Sequence, residues 1–131
     1  MITLIVRGNS LSDIIKNQDE VVVDENPELI SIDDIIVYKL GSSQSIKIVI
    51  GVPGSPISLE NNYLFIRDRK IKLTDQQFEC WKDWKENSPI ILSNRFFVLG
   101  IHPESRDSKQ HGFVLLEDII GKVIGINRFK G

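Results

Sequence analysis

Cys80 is the single cysteine among the 131 residues, so the chain can form no disulfide within itself and no cysteine-built zinc site. That fits a reducing compartment. Histidine is nearly as scarce, with His102 and His111 alone. Positive charge is not in excess: 16 Lys and Arg against 18 Asp and Glu leave a net −2. This balance, with no basic stripe interleaved with aromatics, argues against nucleic acid as a partner. No repeat at solenoid spacing is visible. Long hydrophobic runs are missing too. The N-terminal "MITLIV" is too short for a membrane span or a signal peptide, and Arg7 follows it at once. Read as starting at Met1, the chain is expected to be soluble and cytoplasmic, with no membrane contact.

What is present suits one domain with one real core: 41% hydrophobic and 26% charged residues. The apolar runs are short and β-branched. "ITLIV", "EVVVD", "DIIVYKL", "IKIVIG", "YLFIRD", "FFVLG", "GFVL" and "GKVIGINRF" each read as strands. "DENPE", "GSSQS", "GVPGSP", "ENN" and "HPESRDSKQHG" read as turns or loops between them. Closely spaced strands with little helix point to a mainly β fold, a barrel or coil of sheets. Two stretches suggest helix. "SLSDIIKN" reads as one short turn capped by Ser10 or Ser12. "TDQQFECWKDWKEN" is stronger: Thr74 and Gln77 have capping-box spacing, and Pro89 lies beyond the end. Phe78, Trp81 and Trp84 recur there at helical spacing. They form either a face packed on the sheet or a contact for a membrane or peptide.

Ser10, in "GNSLSD" just after the first strand, is either a turn residue or a nucleophile in search of a base. Histidine offers one answer, a triad of Ser10, His111 and Asp107 or Asp118, but no nucleophile-elbow motif accompanies it. Lysine offers another. Lys47 opens the apolar run "IKIVIG" between two isoleucines. On a buried strand its ammonium would be desolvated and its pKa lowered, which makes a base. On the polar face of an alternating strand it would reach out to water instead.

Taken together, four segments resemble, in order, the boxes of the type I signal peptidases, serine peptidases of family S26 with a serine–lysine dyad. "VRGNSL" is similar to the nucleophile box, "SIDDIIVYK" to the box after it, "IKIVIGVPGS" to the lysine box, and "FFVLGIHPESRDSKQHGFVLLEDIIGKV" to the last. "ISLENNYLFIRDRKI" resembles the hairpin that follows the lysine box. The resemblance implies a single peptidase domain over 1–131, with a catalytic core of about 1–55 and 96–131. A hairpin-and-helix insertion, a cap region, would occupy about 56–95.

The resemblance also implies roles. Ser10 is the nucleophile and Lys47 the general base. Ser105 aims the lysine, Asp107 and Lys109 are a bracing pair, and Ser108 lies between them. The oxyanion is held by the Ser10 N–H. Some members add a hydroxyl two residues earlier, where this chain has Gly8. No cofactor or metal is implied. The partner is a precursor protein or leader peptide bound as an extended strand.

The chain departs from the family pattern at Leu11, Ser12 and Asp13, where Met-x-Pro is usual after the serine. It departs again at Ile48, at Ser55, and at Gly100-Ile101-His102. Read as starting at Met1, with nine residues ahead of Ser10, the chain resembles the soluble branch that matures nickel-type superoxide dismutase by removing a short leader. The alternatives are the catalytic domain of a membrane-anchored signal peptidase, a non-catalytic peptide-binding module of the same fold, and a self-cleaving regulator.

Overall fold

The computed structural model describes residues 1–7, 14–100 and 105–128. Short β-branched runs with alternate residues buried give strands β1 (Ile2–Ile5), β2 (Glu20–Asp24), β3 (Ile35–Leu40) and β4 (Ser43–Gly51). β5 (Ile57–Glu60), β6 (Tyr63–Ile66), β7 (Arg69–Lys72) and helix α1 (Asp75–Lys85) follow. Then come β8 (Arg95–Leu99), the helical turn α2 (Ser108–His111), β9 (Val114–Leu115) and β10 (Ile119–Asn127). A seven-stranded sheet runs in the order β1-β2-β10-β3-β4-β8-β9, and β5-β6-β7 form a small second sheet. The fold is mainly β, as the spacing of the short apolar runs implies.

The alternation of strands β3 and β4 decides where the core lies. Ile35, Val37, Ile46 and Ile48 point into a cluster with Val6, Ile15, Val21 and Val23. Ile36, Tyr38 and Val49 point the other way, into a cluster with Phe96, Val98 and Val114. Both faces of these central strands are therefore covered, which explains their nearly unbroken apolar sequence. Lys47 stands in the middle of that run, opposite Ile36 in β3.

Strands β4 and β8 pair directly, Val49 opposite Val98, so residues 52–94 are an excursion from the large sheet. Within it, Asn61 and Asn62, at φ 52° and 64°, make the two-residue turn between β5 and β6. Asparagine tolerates this left-handed geometry, and the paired positive φ suits the twist of a hairpin. Helix α1 begins as its sequence implies: Thr74 Oγ1 accepts from Gln77 N–H at 3.1 Å, and Gln77 Oε1 accepts from Thr74 N–H at 3.0 Å. Its aromatic face packs on the sheet. Trp81 is fully buried, with ring centroids 5.2 Å from Phe97 and 4.9 Å from Phe113. The reading of that face as core is the one the structure bears out.

Three local readings need correction. The described part of "SLSDIIKN", residues 14–17, is not helical: Val6 pairs with the turn beyond it, through Val6 N–H to Asp19 O and Gln18 N–H to Val6 O, both 2.8 Å. Residues 8–13, with Ser10 and Ser12, lie outside the described residues. "GSSQS" is a turn only at Gly41 and Ser42; Ser43–Ser45 already belong to β4. "HPESRDSKQHG" is not all loop, since α2 forms inside it with Asp107 as its N-cap.

Trp81 ties the excursion to the large sheet. Trp81→Ala is expected to cost about 3–5 kcal/mol of stability. A urea melt would measure it, and a loss below about 1 kcal/mol would mean that the helix contributes little.

Candidate active site

Lys47 is only 3% exposed, on a strand flanked by β3 and β8. Burial pushes its pKa below the ordinary 10.5, and the carboxylate of Asp107 pulls it part of the way back. Desolvation wins, so the reading of Lys47 as reaching out to water falls.

Segment 105–112 lies over the Lys47 face of the sheet. Gly100 follows β8 directly across from Lys47 and explains how close the segment can come. A Cβ at Gly100 would stand 2.6 Å from Ser105 Oγ and 3.4 Å from Lys47 Cδ. Glycine at this position makes room for the Ser105 side chain beside the lysine stem.

Asp107 and Ser108, both fully buried, fasten the segment to β8. Asp107 Oδ2 accepts from Gly100 N–H at 3.1 Å, and Ser108 Oγ accepts from Val98 N–H at 2.9 Å. Asp107 also caps α2 and pairs with Lys109 Nζ at 3.5 Å. Each buried polar side chain thus has a partner, and the segment has little freedom.

His111 is occupied on both sides of its ring. Nδ1 lies 2.9 Å from Gly112 O, and Nε2 lies 2.9 Å from Tyr38 Oη. The carbonyl can only accept, so Nδ1 carries the proton and Nε2 accepts from the tyrosine hydroxyl. Burial lowers the His111 pKa, with the Gly112 carbonyl and Asp107 opposing, so the ring is neutral at pH 7. The carboxylate of Asp107 is committed elsewhere. The histidine triad has therefore lost its base, and His102 lies outside the described residues.

A cavity of about 370 Å³ opens between β1, Ile15 and the start of β4. Leu4, Val6, Ile15, Val37 and Ile46 give it apolar walls, and Arg7 and Gln44 stand at its rim. It lies between two strand margins. β1 is the outer strand of the large sheet, and β4 is paired to β8 only from Ile48 onward. Of the departures from the family pattern, Ser55 has its own work here: its Oγ accepts from Val52 N–H at 3.0 Å and closes the turn after β4. Among the described residues, no group of three or more His, Cys, Asp or Glu is placed to hold a metal. Nor is any helix among them long and apolar enough to cross a membrane.

The family model for signal peptidase, peptidase S26, matches residues 1–126. The chain belongs to this family. Signal peptidase I U of Bacillus subtilis is 26% identical over 133 residues, covering 89% of this chain and 70% of that protein. The crystal structure of a signal peptidase I from Enterococcus faecalis shares the fold, with a TM-score of 0.51 and 21% identity over 76% of this chain and 100% of that one. The family is one of serine peptidases that remove leader peptides, so its chemistry is hydrolysis of a peptide bond. Sequence reasoning about this S26 site missed Tyr38, took His111 only as a candidate triad base, and named Gly100 without its role. The glycine's role depends on strand register, and the tyrosine and histidine stand far apart in sequence.

The buried lysine of this peptidase should cost stability. Below its lowered pKa the folded chain must hold a desolvated ammonium, and that cost is fully present. It shrinks as pH rises toward 10.5, because there the unfolded chain binds the proton more tightly than the folded one. Lys47→Met is therefore expected to melt at a higher temperature than wild type near pH 7, with a gap that narrows toward pH 10.5. A lower melting temperature, independent of pH, would contradict a desolvated lysine.

Proposed function

We propose that this chain is a serine endopeptidase in which Ser10 is the nucleophile and Lys47 the general base, and that it removes a short N-terminal leader from a precursor protein. The observation that carries the reading is the buried Lys47, stripped of solvent, with Ser105 held beside it at Gly100. A neutral amine can take a serine proton, whereas an ammonium cannot. Membership of a serine peptidase family supports a serine as the attacking group.

The precursor would lie as an added strand between the β1 margin and the start of β4, which pairs with β3 but not with β8. Side chains ahead of the cut would enter the apolar cavity of Leu4, Val6 and Ile46. Ser10 Oγ attacks the scissile carbonyl carbon as its proton passes to Lys47 Nζ. The Ser10 N–H holds the oxyanion; such a donor is typically worth about 3–4 kcal/mol of barrier. Gly8 adds no hydroxyl to it. The C–N bond then breaks, Lys47 returns the proton to the leaving amine, and an acyl-enzyme remains. Water, deprotonated by Lys47, attacks the acyl carbon and releases Ser10 with its proton. Ser105 aims Lys47 throughout, while Asp107 and Ser108 hold that loop to β8. No step calls for a metal or cofactor.

The resemblance to the maturation branch makes a nickel-type superoxide dismutase precursor the first substrate to test. Mass spectrometry of the co-expressed precursor should show the leader removed by wild type and retained with Ser10→Ala and Lys47→Ala, each slower by at least about 10²–10⁴-fold. Cleavage that survives Lys47→Ala would end the dyad reading. A peptidase whose variants and wild type all leave a panel of precursors whole would favour the non-catalytic module.

The cleavage rate should also rise with pH as Lys47 loses its proton. A profile flat between about pH 6 and 9 would remove Lys47 from the base's place.

A further inference from the structure

Sheet order puts β4 between β3 and β8, so Lys47 has one neighbour strand on each side. Segment 105–112 is bonded to both. Its near end is tied to β8 through Gly100 N–H to Asp107 and Val98 N–H to Ser108. Its far end is tied to β3 by the O–H of Tyr38, which donates to His111 Nε2 at 2.9 Å. The two rings also meet edge to face, with centroids 5.6 Å apart. Tyr38 is 1% exposed and His111 half-buried, so the bond is partly shielded from solvent.

We propose that the Tyr38–His111 hydrogen bond is a positioning contact for the reaction: it fastens the far end of this clasp across β4 and so keeps Ser105 and Asp107 over Lys47. The inference rests on the use of Lys47 as the base. A clasp held at one end only can lift, admit water to Lys47 and lose the aim of Ser105. Its outer side is backed by α1, where Trp81 Nε1–H donates to Lys109 O at 3.3 Å and Trp84 covers Gly112. Tyr38 and His111 are thus positioning residues that act through Ser105 and Lys47.

The charges around the clasp set the direction of the effect. Asp107 faces Lys47 and is itself paired with Lys109. Tyr38, Asp107 and Arg106 bear on His111. Loosening the clasp relieves the desolvation of Lys47, the larger influence, and moves Asp107 away, the smaller one. The rising limb of the rate profile therefore moves to higher pH.

The test is residue-resolved hydrogen exchange on the full chain, with cleavage kinetics alongside. In Tyr38→Phe and His111→Phe, the Val98 and Gly100 amides should exchange about tenfold faster while those of β2 keep their protection. His111→Gln, whose amide oxygen can accept from Tyr38, should restore most of the protection. The cleavage rate should fall about tenfold with KM unchanged, and its pH limb should shift upward. Unchanged exchange at Val98 and Gly100, or equal loss of protection in β2, would overturn the proposal. The exchange readout needs no substrate, so failure of the dyad reading would show separately, in the Ser10 and Lys47 variants.

Discussion

A lysine in the middle of a twice-covered strand is the constraint on which this structure turns. Isoleucines precede and follow Lys47, and Ile36 stands opposite it. The interior can accept that side chain cheaply only without its charge. Asp107 is near enough to favour the charged form, but its own carboxylate is committed to Gly100 N–H, to the α2 cap and to Lys109. Its pull is therefore spread over several donors, and desolvation prevails. The fold accepts a locally unfavourable group and lowers its pKa in doing so.

The surrounding parts follow from that group. Room for Ser105 beside the lysine exists only because residue 100 has no side chain. The segment that brings Ser105 there makes its bonds to the strands on either side of Lys47, which fixes it more firmly than its own short helical turn could. The hairpin-and-helix excursion adds weight from outside, with the indole of Trp81 bonded to that same segment. On the far side of the sheet, Leu4, Val6, Val37 and Ile46 wall an apolar cavity beside β1. Lys47 and that cavity, which Ile46 lines, thus lie on opposite faces of β4.

Much of this was legible in the sequence. All eight β-branched runs correspond to strands, because their alternation and turn punctuation agree with the pleat. β5 and β7 escaped that pattern: "ISLE" and "RKIK" each have one buried residue, too little apolar signal to stand out. The helix start at Thr74 was plain, since a capping box is local chemistry. The setting of Lys47 was only half legible. "IKIVIG" suits a buried strand and an alternating one alike, and only pairing on both sides decides between them. Segment 102–112 looked like solvated loop because its charges dominate, yet Asp107 and Ser108 are buried by bonds to strand N–H groups that no local pattern encodes. The link between Tyr38 and His111 depends wholly on tertiary approach. Ser10 rests on the family's box alone, as it lies outside the described residues.

The most direct measurement is the titration of Lys47 itself, followed by NMR of a lysine labelled with carbon-13 at Cε and assigned with Lys47→Met. The account expects a midpoint below the ordinary 10.5, set by burial against the weaker pull of Asp107. A midpoint at or above 10.5 would mean that the ammonium persists through the working range, and Lys47 could not be the base.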